Sequence, residues 1–426
     1  MKYSSITVLT VIVTVFLIVT GVTIFLDNKT HSLAKSVNLE PLVYDAYLIE
    51  GVPFIDQETN FYCSYAANAM IFNYYNKNTS LSEILFSSGI GYSLFYQSSS
   101  GRSYQHMFRS GVFLCQNMSE QEFVASLFSL SYDYWYLENI TTDIENWDEY
   151  WSNTKNYIIN DIPVKTSVDP YSIPPLNKMY DSEDIHGGHA VVIVGFNESN
   201  STVCYNDPQA GLWGEAKNGS YFYLSQEIFK GAVKNTTGLK YFLEFFINNS
   251  DSKPLTKEQR FQKAHDRNIK KMKGEIGIKP DLSKLFFANS GMKGLKLFKK
   301  DLRMGYFHRM RTVIIYSYYP ANYVISIEKQ NASQYLDEIK NSLDSPDLIN
   351  ICNYDSSLLQ KEADQWNEIN QYFSHIYDIG QENRFIITLL KSIPITSKIR
   401  TNVNELISLE TQIIEGPNSK KLINTS

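Results

Sequence analysis

The chain has 426 residues, of which 43% are hydrophobic and 20% are charged, and its net charge is −6. This composition excludes a disordered protein, and the length allows two or three domains, each with its own core. Four cysteines in so long a chain exclude a disulfide scaffold, and the sequence has no CxxC pair or HExxH motif that would support a metal site. The sequence therefore predicts a globular protein without a metal or another cofactor.

Residues 6–25 form an apolar segment that contains no charged residue and follows Lys2. Twenty apolar, Thr or Gly residues can span a bilayer, whereas the hydrophobic part of a cleavable signal peptide has about 7–15 residues. We therefore predict an uncleaved membrane anchor within residues 1–29, with a secreted protein as the alternative, and a tether at residues 30–49. Lys2 and eleven Asn-x-Ser/Thr sequons favour a glycosylated, extracellular body at the cell membrane.

Charge divides the rest of the chain into two parts. Residues 36–250 contain 10 Lys or Arg against 24 Asp or Glu, whereas residues 251–311 contain 17 against 6. This contrast predicts one domain at residues 50–250 and a second at residues 251–426. The basic stretch 253–311 is interpreted as a solvated surface, with contact to an anionic membrane or wall polymer as the alternative. Its few aromatic residues argue against nucleic acid.

The first domain begins with helical patterns. An Ala-rich apolar run predicts a helix over Cys63–Tyr75, and Ser80 begins a second helix with a capping box. Residues 89–111 are predicted to be a loop, and residues 119–130 a helix. The dense aromatic residues between 132 and 157 are interpreted as core, with a groove for a glycan or peptide as the alternative.

The pattern of the first domain then changes to β-strands. The predicted strands are 162–164, 190–196, 201–206, 219–224 and 241–246. Helices followed by an antiparallel sheet indicate an α+β domain.

The C-terminal domain is predicted to be mainly helical. It begins with a basic, solvated helix that starts at Thr256 and runs to Lys273, and it includes a helix over 282–303 and a possible strand at 313–316.

Four residues of the first domain have the chemistry of a nucleophilic site. Cys63 is predicted at the first turn of a helix, where unpaired N–H groups and the helix dipole favour the thiolate. His189 precedes a buried strand and can act as the base, while Asp207 follows the next strand and can orient the imidazole. Gln57 is close enough in sequence to direct an amide N–H toward an oxyanion. His186 is an alternative to His189, but no apolar strand follows it.

The order Gln57-x5-Cys63, then Gly-Gly-His-Ala, then Asn-Asp-Pro resembles the papain-like cysteine peptidases of the C39 type. The resemblance covers roughly residues 50–250. It implies a papain-like fold, in which the helix that carries the cysteine packs on an antiparallel sheet. It also implies that Cys63 attacks a peptide or acyl-amide substrate with His189 as base and acid. Asp207 would then orient His189, and Gln57 would form the oxyanion hole.

Two features of the sequence leave other functions open. Relatives usually have Gly after the nucleophile, whereas this chain has Ser64 and Tyr65, so a bulky ring is predicted to narrow or occlude the cleft. An inactive papain-like binding module is therefore one alternative. The sequence around Asn289-Ser290-Gly291, followed by a helical tail, is similar in layout to butirosin-pathway-type acyltransferases. That similarity implies transfer of an acyl group from the Cys63 thioester to an amine.

Overall fold

The chain divides into two compact units, which are described separately. The sheet unit contains Ala34–Ser88 and Cys115–Ala264, and the helical unit contains Gly89–Leu114 and His265–Ser426. The sequence predicted the boundary near residue 250 and assigned residues 89–114 to the first domain. The computed structural model of the protein describes residues 44–59, 61–99, 107–110, 118–137, 142–174, 187–210, 219–249, 253–276, 286–303, 313–382 and 385–417.

The sheet unit is an α+β structure, as the sequence predicted, and its sheet has seven strands, of which the sequence predicted five. Its strand order is β4 (Leu130–Tyr136), β9 (Phe242–Asn248), β5 (Val164–Val168), β6 (His189–Asn197), β7 (Thr202–Asn206) and β8 (Phe222–Ser225), and β1 (Ala46–Leu48) pairs with β6 beyond the end of β5. All of these pairs are antiparallel. In chain order the elements are β1 (Ala46–Leu48), α1 (Cys63–Tyr74), α2 (Leu81–Ser87), α3 (Met118–Leu127), β4 (Leu130–Tyr136), α4 (Asp143–Ile158), β5 (Val164–Val168), β6 (His189–Asn197), β7 (Thr202–Asn206), β8 (Phe222–Ser225), α5 (Gln226–Asn235) and β9 (Phe242–Asn248).

The helix α1 lies in the core of the sheet unit and packs against β6. Every residue from Ser64 to Phe72 is buried, which explains why an Ala-rich sequence without a polar face forms this helix. The aromatic residues between 132 and 157 also fill the core, because most of them are buried and stack on one another. Trp147, for example, stacks on Trp151 at 5.3 Å between ring centroids.

The helical unit combines long helices with a three-stranded sheet of order β10-β2-β3. Its apolar core joins the small sheet to the helices, since Tyr96 of β2 and Trp366 belong to one buried cluster. The boundary between the two units in the sequence falls within the helix α6 (Lys257–Lys273). The other elements of the helical unit are β2 (Leu94–Ser99), β3 (Met107–Ser110), β10 (Phe286–Ser290), α7 (Gly291–Arg303), α8 (Val313–Ile339), α9 (Pro346–Glu382) and α10 (Phe385–Glu415).

Three predictions for these residues were wrong. The predicted loop 89–111 contains β2 and β3, because β2 pairs with β10 almost 190 residues later in the chain. Within the predicted helix 282–303, residues 286–290 form β10, and the described chain becomes helical only at Gly291. The possible strand at 313–316 is instead the start of α8. Short apolar runs fit a strand and a buried helix equally well, and long-range packing decides between them.

The helix α6 ends at Lys273 as predicted, and its start is capped as predicted. The Gln259 side chain accepts a hydrogen bond from the Thr256 N–H, and the Thr256 hydroxyl accepts one from the Gln259 N–H. The prediction of a wholly solvated helix was wrong, because Phe261 and Ala264 are buried. The basic residues therefore occupy only part of the helix surface.

The predicted membrane anchor at residues 6–25 lies outside the described residues. Among the helices that the structure does describe, none combines the length and the apolar character needed to cross a bilayer.

Candidate active site

Cys63 is the first residue of α1 and follows Tyr62, whose backbone is not helical. The residue is half-buried, and its thiol is free. The backbone N–H groups of Ser64 and Ala190 both hydrogen-bond the sulfur. The helix terminus therefore supplies a donor to Sγ in the way that the sequence predicted.

His189 is the first residue of β6, and its side chain is buried. The preceding Gly187 and Gly188 bring the chain past closely packed neighbours. A Cβ at Gly187 would lie 3.0 Å from the Tyr171 ring, and one at Gly188 would lie 3.2 Å from the Gly238 nitrogen. The two glycines therefore allow the tight approach that places His189 at the end of the sheet next to Cys63.

Asp207 follows β7 and is fully buried. The Nε2 atom of His189 lies 2.7 Å from its Oδ1 atom. The same oxygen accepts a hydrogen bond from the Gln209 N–H at 2.8 Å, and the Asp207 N–H donates to the Gly219 carbonyl at 2.9 Å. One oxygen of the carboxylate thus contacts both His189 and the Gln209 N–H, and the imidazole also hydrogen-bonds Cys63.

These contacts shift the pKa values of Cys63 and His189 in opposite directions. Burial raises the pKa of the Cys63 thiol, but the hydrogen bond and charge of His189 outweigh burial, so the pKa lies below its ordinary value. Burial lowers the pKa of His189, but the charge and hydrogen bond of Asp207, with smaller effects of Cys63, raise it to about 10. The arrangement therefore favours a thiolate beside an imidazolium at neutral pH.

Gln57 is buried beside the same turn, because its N–H donates to the Pro208 carbonyl at 2.9 Å. Its side-chain Nε2 donates to the Thr59 carbonyl at 2.7 Å. An amide NH₂ has two donors, so one remains for an oxyanion. No hydrogen bond within the described part of the chain joins this side chain to Cys63, and its role in an oxyanion hole stays a prediction.

The two residues after the nucleophile point into the protein. Tyr65 is fully buried and makes an edge contact with Tyr62, whereas Cys63 is partly exposed. The Tyr65 ring therefore lies in the core of the sheet unit, and the narrowing of the cleft that the sequence predicts stays a prediction. Ser64 is buried as well, and its hydroxyl accepts a hydrogen bond from Lys165. The alternative base His186 lies outside the described residues.

Two buried charged residues near the site were not singled out in the sequence. Lys165 lies on β5 and contacts the first turn of α1. Asp169 follows β5, and its Oδ1 accepts the Gly187 N–H at 2.9 Å, so it fixes the backbone just before His189. The signal for both was a charged residue within or directly after a strand whose other residues are uncharged. Such a pattern indicates a buried, partnered charge.

Cys63 lies at the start of α1, His189 and Asp207 lie at one end of the sheet, and Gln57 lies beside the turn that carries Asp207. Residues 49–228 match the model of the Peptidase_C39 like family. This stretch, here called the C39-like region, resembles the C39-like peptidases and contains all four residues. It covers less than half of the chain, and no curated protein matches the chain.

The match indicates a cysteine-peptidase-like hydrolase function for the C39-like region. The described α+β structure, with the helix of Cys63 packed on an antiparallel sheet, is consistent with a papain-like fold. Among the residues that the structure describes, no group of three or more His, Cys, Asp or Glu side chains is arranged to hold a metal ion.

Proposed function

We propose that the C39-like region is a thiol-dependent hydrolase that cleaves a peptide or related amide bond through an acyl-enzyme at Cys63. The observation that supports this proposal is the continuous contact from the Cys63 thiol through the His189 imidazole to the Asp207 carboxylate. A nucleophile, its base and an orienting carboxylate in this order are the requirements of acyl transfer.

In the proposed reaction, the Cys63 thiolate attacks the substrate carbonyl carbon, and the carbonyl oxygen becomes an oxyanion. The backbone N–H of Cys63 at the start of α1 and the remaining N–H of the Gln57 amide are the candidate donors to that oxyanion. The His189 imidazolium then gives its proton to the leaving amine as the C–N bond breaks, which leaves a thioester on Cys63.

Water completes the cycle. Neutral His189 takes a proton from water, the resulting hydroxide attacks the thioester, and the carboxylic acid leaves as the C–S bond breaks. The thiolate and the imidazolium are restored, with Asp207 holding the ring in the same orientation throughout. If an amine took the place of water, the same thioester would support an acyltransferase.

The test is cleavage of a peptide library by the full chain, with Cys63→Ala as the inactive variant. The matched control is Cys204→Ala, since Cys204 is a buried thiol of the same unit that makes no contact with His189 among the described residues. Cys63→Ala is expected to abolish cleavage, and the control to retain it. Full cleavage by Cys63→Ala would contradict the proposal. Product analysis with and without an added amine separates hydrolysis from acyl transfer.

We further propose, from the sequence, that residues 6–25 anchor the protein with its body outside the cell. Full-length protein should stay in the membrane pellet after an alkaline wash, and protease added to intact cells should digest the body. Release by the wash would contradict the anchor, and protection from the protease would contradict the orientation.

A further inference from the structure

A buried lysine lies against the first turn of the helix that carries Cys63. Lys165 is in the middle of the sheet, on β5, and only 1% of its surface is exposed. Its partners on neighbouring strands are Val192 of β6 and Glu244 of β9. A lysine in this position needs partners for its charge and for each of its N–H donors, because an unpaired buried charge is costly.

The ammonium group of Lys165 has three donors, and all three are used. Its Nζ lies 3.0 Å from Glu244 Oε2, 2.9 Å from Asn68 Oδ1 and 3.1 Å from Ser64 Oγ. Glu244 is itself oriented, because it accepts a hydrogen bond from the Tyr132 hydroxyl at 2.9 Å. The lysine therefore connects a fixed carboxylate on the sheet to two side chains of α1.

Stability alone does not account for this arrangement. Replacing a buried ion pair with apolar side chains of similar volume is often neutral or stabilising. The negative charge of Glu244 also balances the charge of Lys165, so the lysine adds little net field at Cys63. Its distinctive effect is geometric, since two of its three hydrogen bonds hold one face of α1.

That face includes the residue next to the nucleophile. Ser64 follows Cys63 directly, and Asn68 lies one helical turn after Ser64 on the same face. Two contacts on one face fix the rotation of α1 about its axis. A rotation of about 10° would move an atom that lies about 5 Å from the axis by roughly 1 Å. A displacement of about 1 Å at a reacting group can reduce the rate by about 100-fold.

We propose that Lys165 is a positioning residue for Cys63. Through Ser64 and Asn68 it sets the rotation of α1 that directs the Cys63 thiolate toward His189 and toward the substrate carbonyl. The kinetic part of this inference rests on the proposed hydrolase function. Alkylation of Cys63 tests the same geometry without any substrate.

The test compares Lys165→Met and Ser64→Ala with wild-type protein, all as the full chain. Thr154→Ala is the matched control for Ser64→Ala. The Thr154 hydroxyl is also buried, and it donates to the Tyr150 carbonyl at 2.8 Å within α4. The readouts are kcat, KM, the midpoint of thermal unfolding, and the rate of iodoacetamide alkylation of Cys63 as a function of pH.

Lys165→Met is expected to lower kcat by roughly 10- to 100-fold while KM changes by less than about threefold. Alkylation of Cys63 at mildly acidic pH should fall as well, because a misaligned His189 lowers the pKa of the thiol less. Ser64→Ala should show the same changes to a smaller extent, at least about threefold in alkylation. Thr154→Ala should leave both kcat and the alkylation rate of Cys63 unchanged, even if the midpoint of its thermal unfolding falls.

A folded Lys165→Met protein with a wild-type pH profile of alkylation and a wild-type kcat would overturn the proposal. If Lys165→Met does not fold, Ser64→Ala decides: a loss above about threefold in alkylation supports the positioning role, and a smaller loss overturns it. Failure of the hydrolase function is recognised separately, because Cys63→Ala would then still cleave substrate. The alkylation profile would continue to test Lys165 in that case.

Discussion

The Nε2 atom of His189 lies 2.7 Å from Oδ1 of Asp207, and both side chains are buried. The carboxylate follows β7 in the chain, and the same imidazole hydrogen-bonds Cys63 at the start of α1. The imidazole therefore links the end of a sheet to the end of a helix. Its charge state depends on Asp207 in a way that can be measured.

Asp207→Asn should lower the upper pH limit of activity. The charge and hydrogen bond of Asp207 are the main causes that hold the pKa of His189 at about 10. Without them, burial lowers this pKa, so the imidazolium that protonates the leaving amine is lost at a lower pH. We expect the alkaline limb of kcat to shift by more than one pH unit and kcat to fall by roughly 10²- to 10⁴-fold.

The measurement is a pH–rate profile of both proteins, with Asp161→Asn as the control. Asp161 is an exposed carboxylate of the same unit that accepts a hydrogen bond from Tyr47. An alkaline limb that stays in place in Asp207→Asn would show that Asp207 does not set the pKa of His189.

Iodoacetamide should modify Cys63 in preference to Cys204 and Cys352. The pKa of Cys63 is lowered by His189, whereas burial raises the pKa of Cys204 to about 11 and that of Cys352 to about 12. Thiolates are the reactive form, so among these three cysteines only Cys63 should react at an appreciable rate at pH 6. Brief labelling followed by peptide mass spectrometry gives the ratio.

His189→Ala provides the contrast for this experiment. It should lower the alkylation rate of Cys63 at pH 6 by up to about 300-fold, because only about one in 300 molecules of an ordinary thiol with a pKa of about 8.5 is a thiolate at this pH. Equal labelling of the wild-type and His189→Ala proteins at this pH would rule out activation of the thiol by the imidazole.

Gln57→Ala should impair catalysis and leave the thiol itself reactive. The proposed role of Gln57 is to donate an N–H to the oxyanion, which forms with a carbonyl substrate but not with iodoacetamide. We expect kcat to fall by roughly 10²- to 10³-fold, the usual effect of removing one such donor. The alkylation rate of Cys63 should stay within about twofold of wild type. A parallel loss in both assays would assign Gln57 to the shape of the site instead.

A charge cluster in the helical unit should make the stability of that unit depend on pH. Lys329 forms an ion pair with Glu362, and its Nζ lies 3.7 Å from Glu410 Oε1. One ammonium cannot balance two buried carboxylates. Burial raises the pKa of Glu410 to about 8 against the attraction of Lys329, and burial also raises the pKa of Glu362.

The sign of the effect follows from the raised pKa of Glu410. The folded protein keeps a proton that the unfolded chain releases above about pH 4.3, so the stabilisation is complete below that pH and declines up to about pH 8. We expect the free energy of unfolding to fall by up to about 1.4 kcal/mol per pH unit in this range.

Denaturant unfolding followed by circular dichroism at several pH values tests this dependence. Glu410→Gln, which has no titratable group, should remove most of the slope. Glu405→Gln, at an exposed position of α10, should retain it. The same slope in wild type and Glu410→Gln would mean that another group carries the proton.

Local sequence was sufficient for several features. The helix that begins at Cys63, the buried strand that begins at His189 and the cap at Thr256 each depend on residues within one or two turns or on an apolar run. The order of Gln57, Cys63, His189 and Asp207 indicated the chemistry of the site, and the structure brings the last three into contact. Such signals are readable because their physical causes are short-range.

Tertiary structure decided what depends on distant partners. Residues 94–99 form a strand because residues 107–110 and 286–290 pair with them, and the Tyr65 ring is buried in the core of the sheet unit. In the sequence, Lys165 is only a charged residue within a strand. Its partners Glu244, Asn68 and Ser64 are identified by the folded structure. The sequence by itself therefore determined which residues can do chemistry and where helices and strands begin. Which side chains meet was decided by long-range packing, because burial and hydrogen-bond partners belong to the folded chain as a whole.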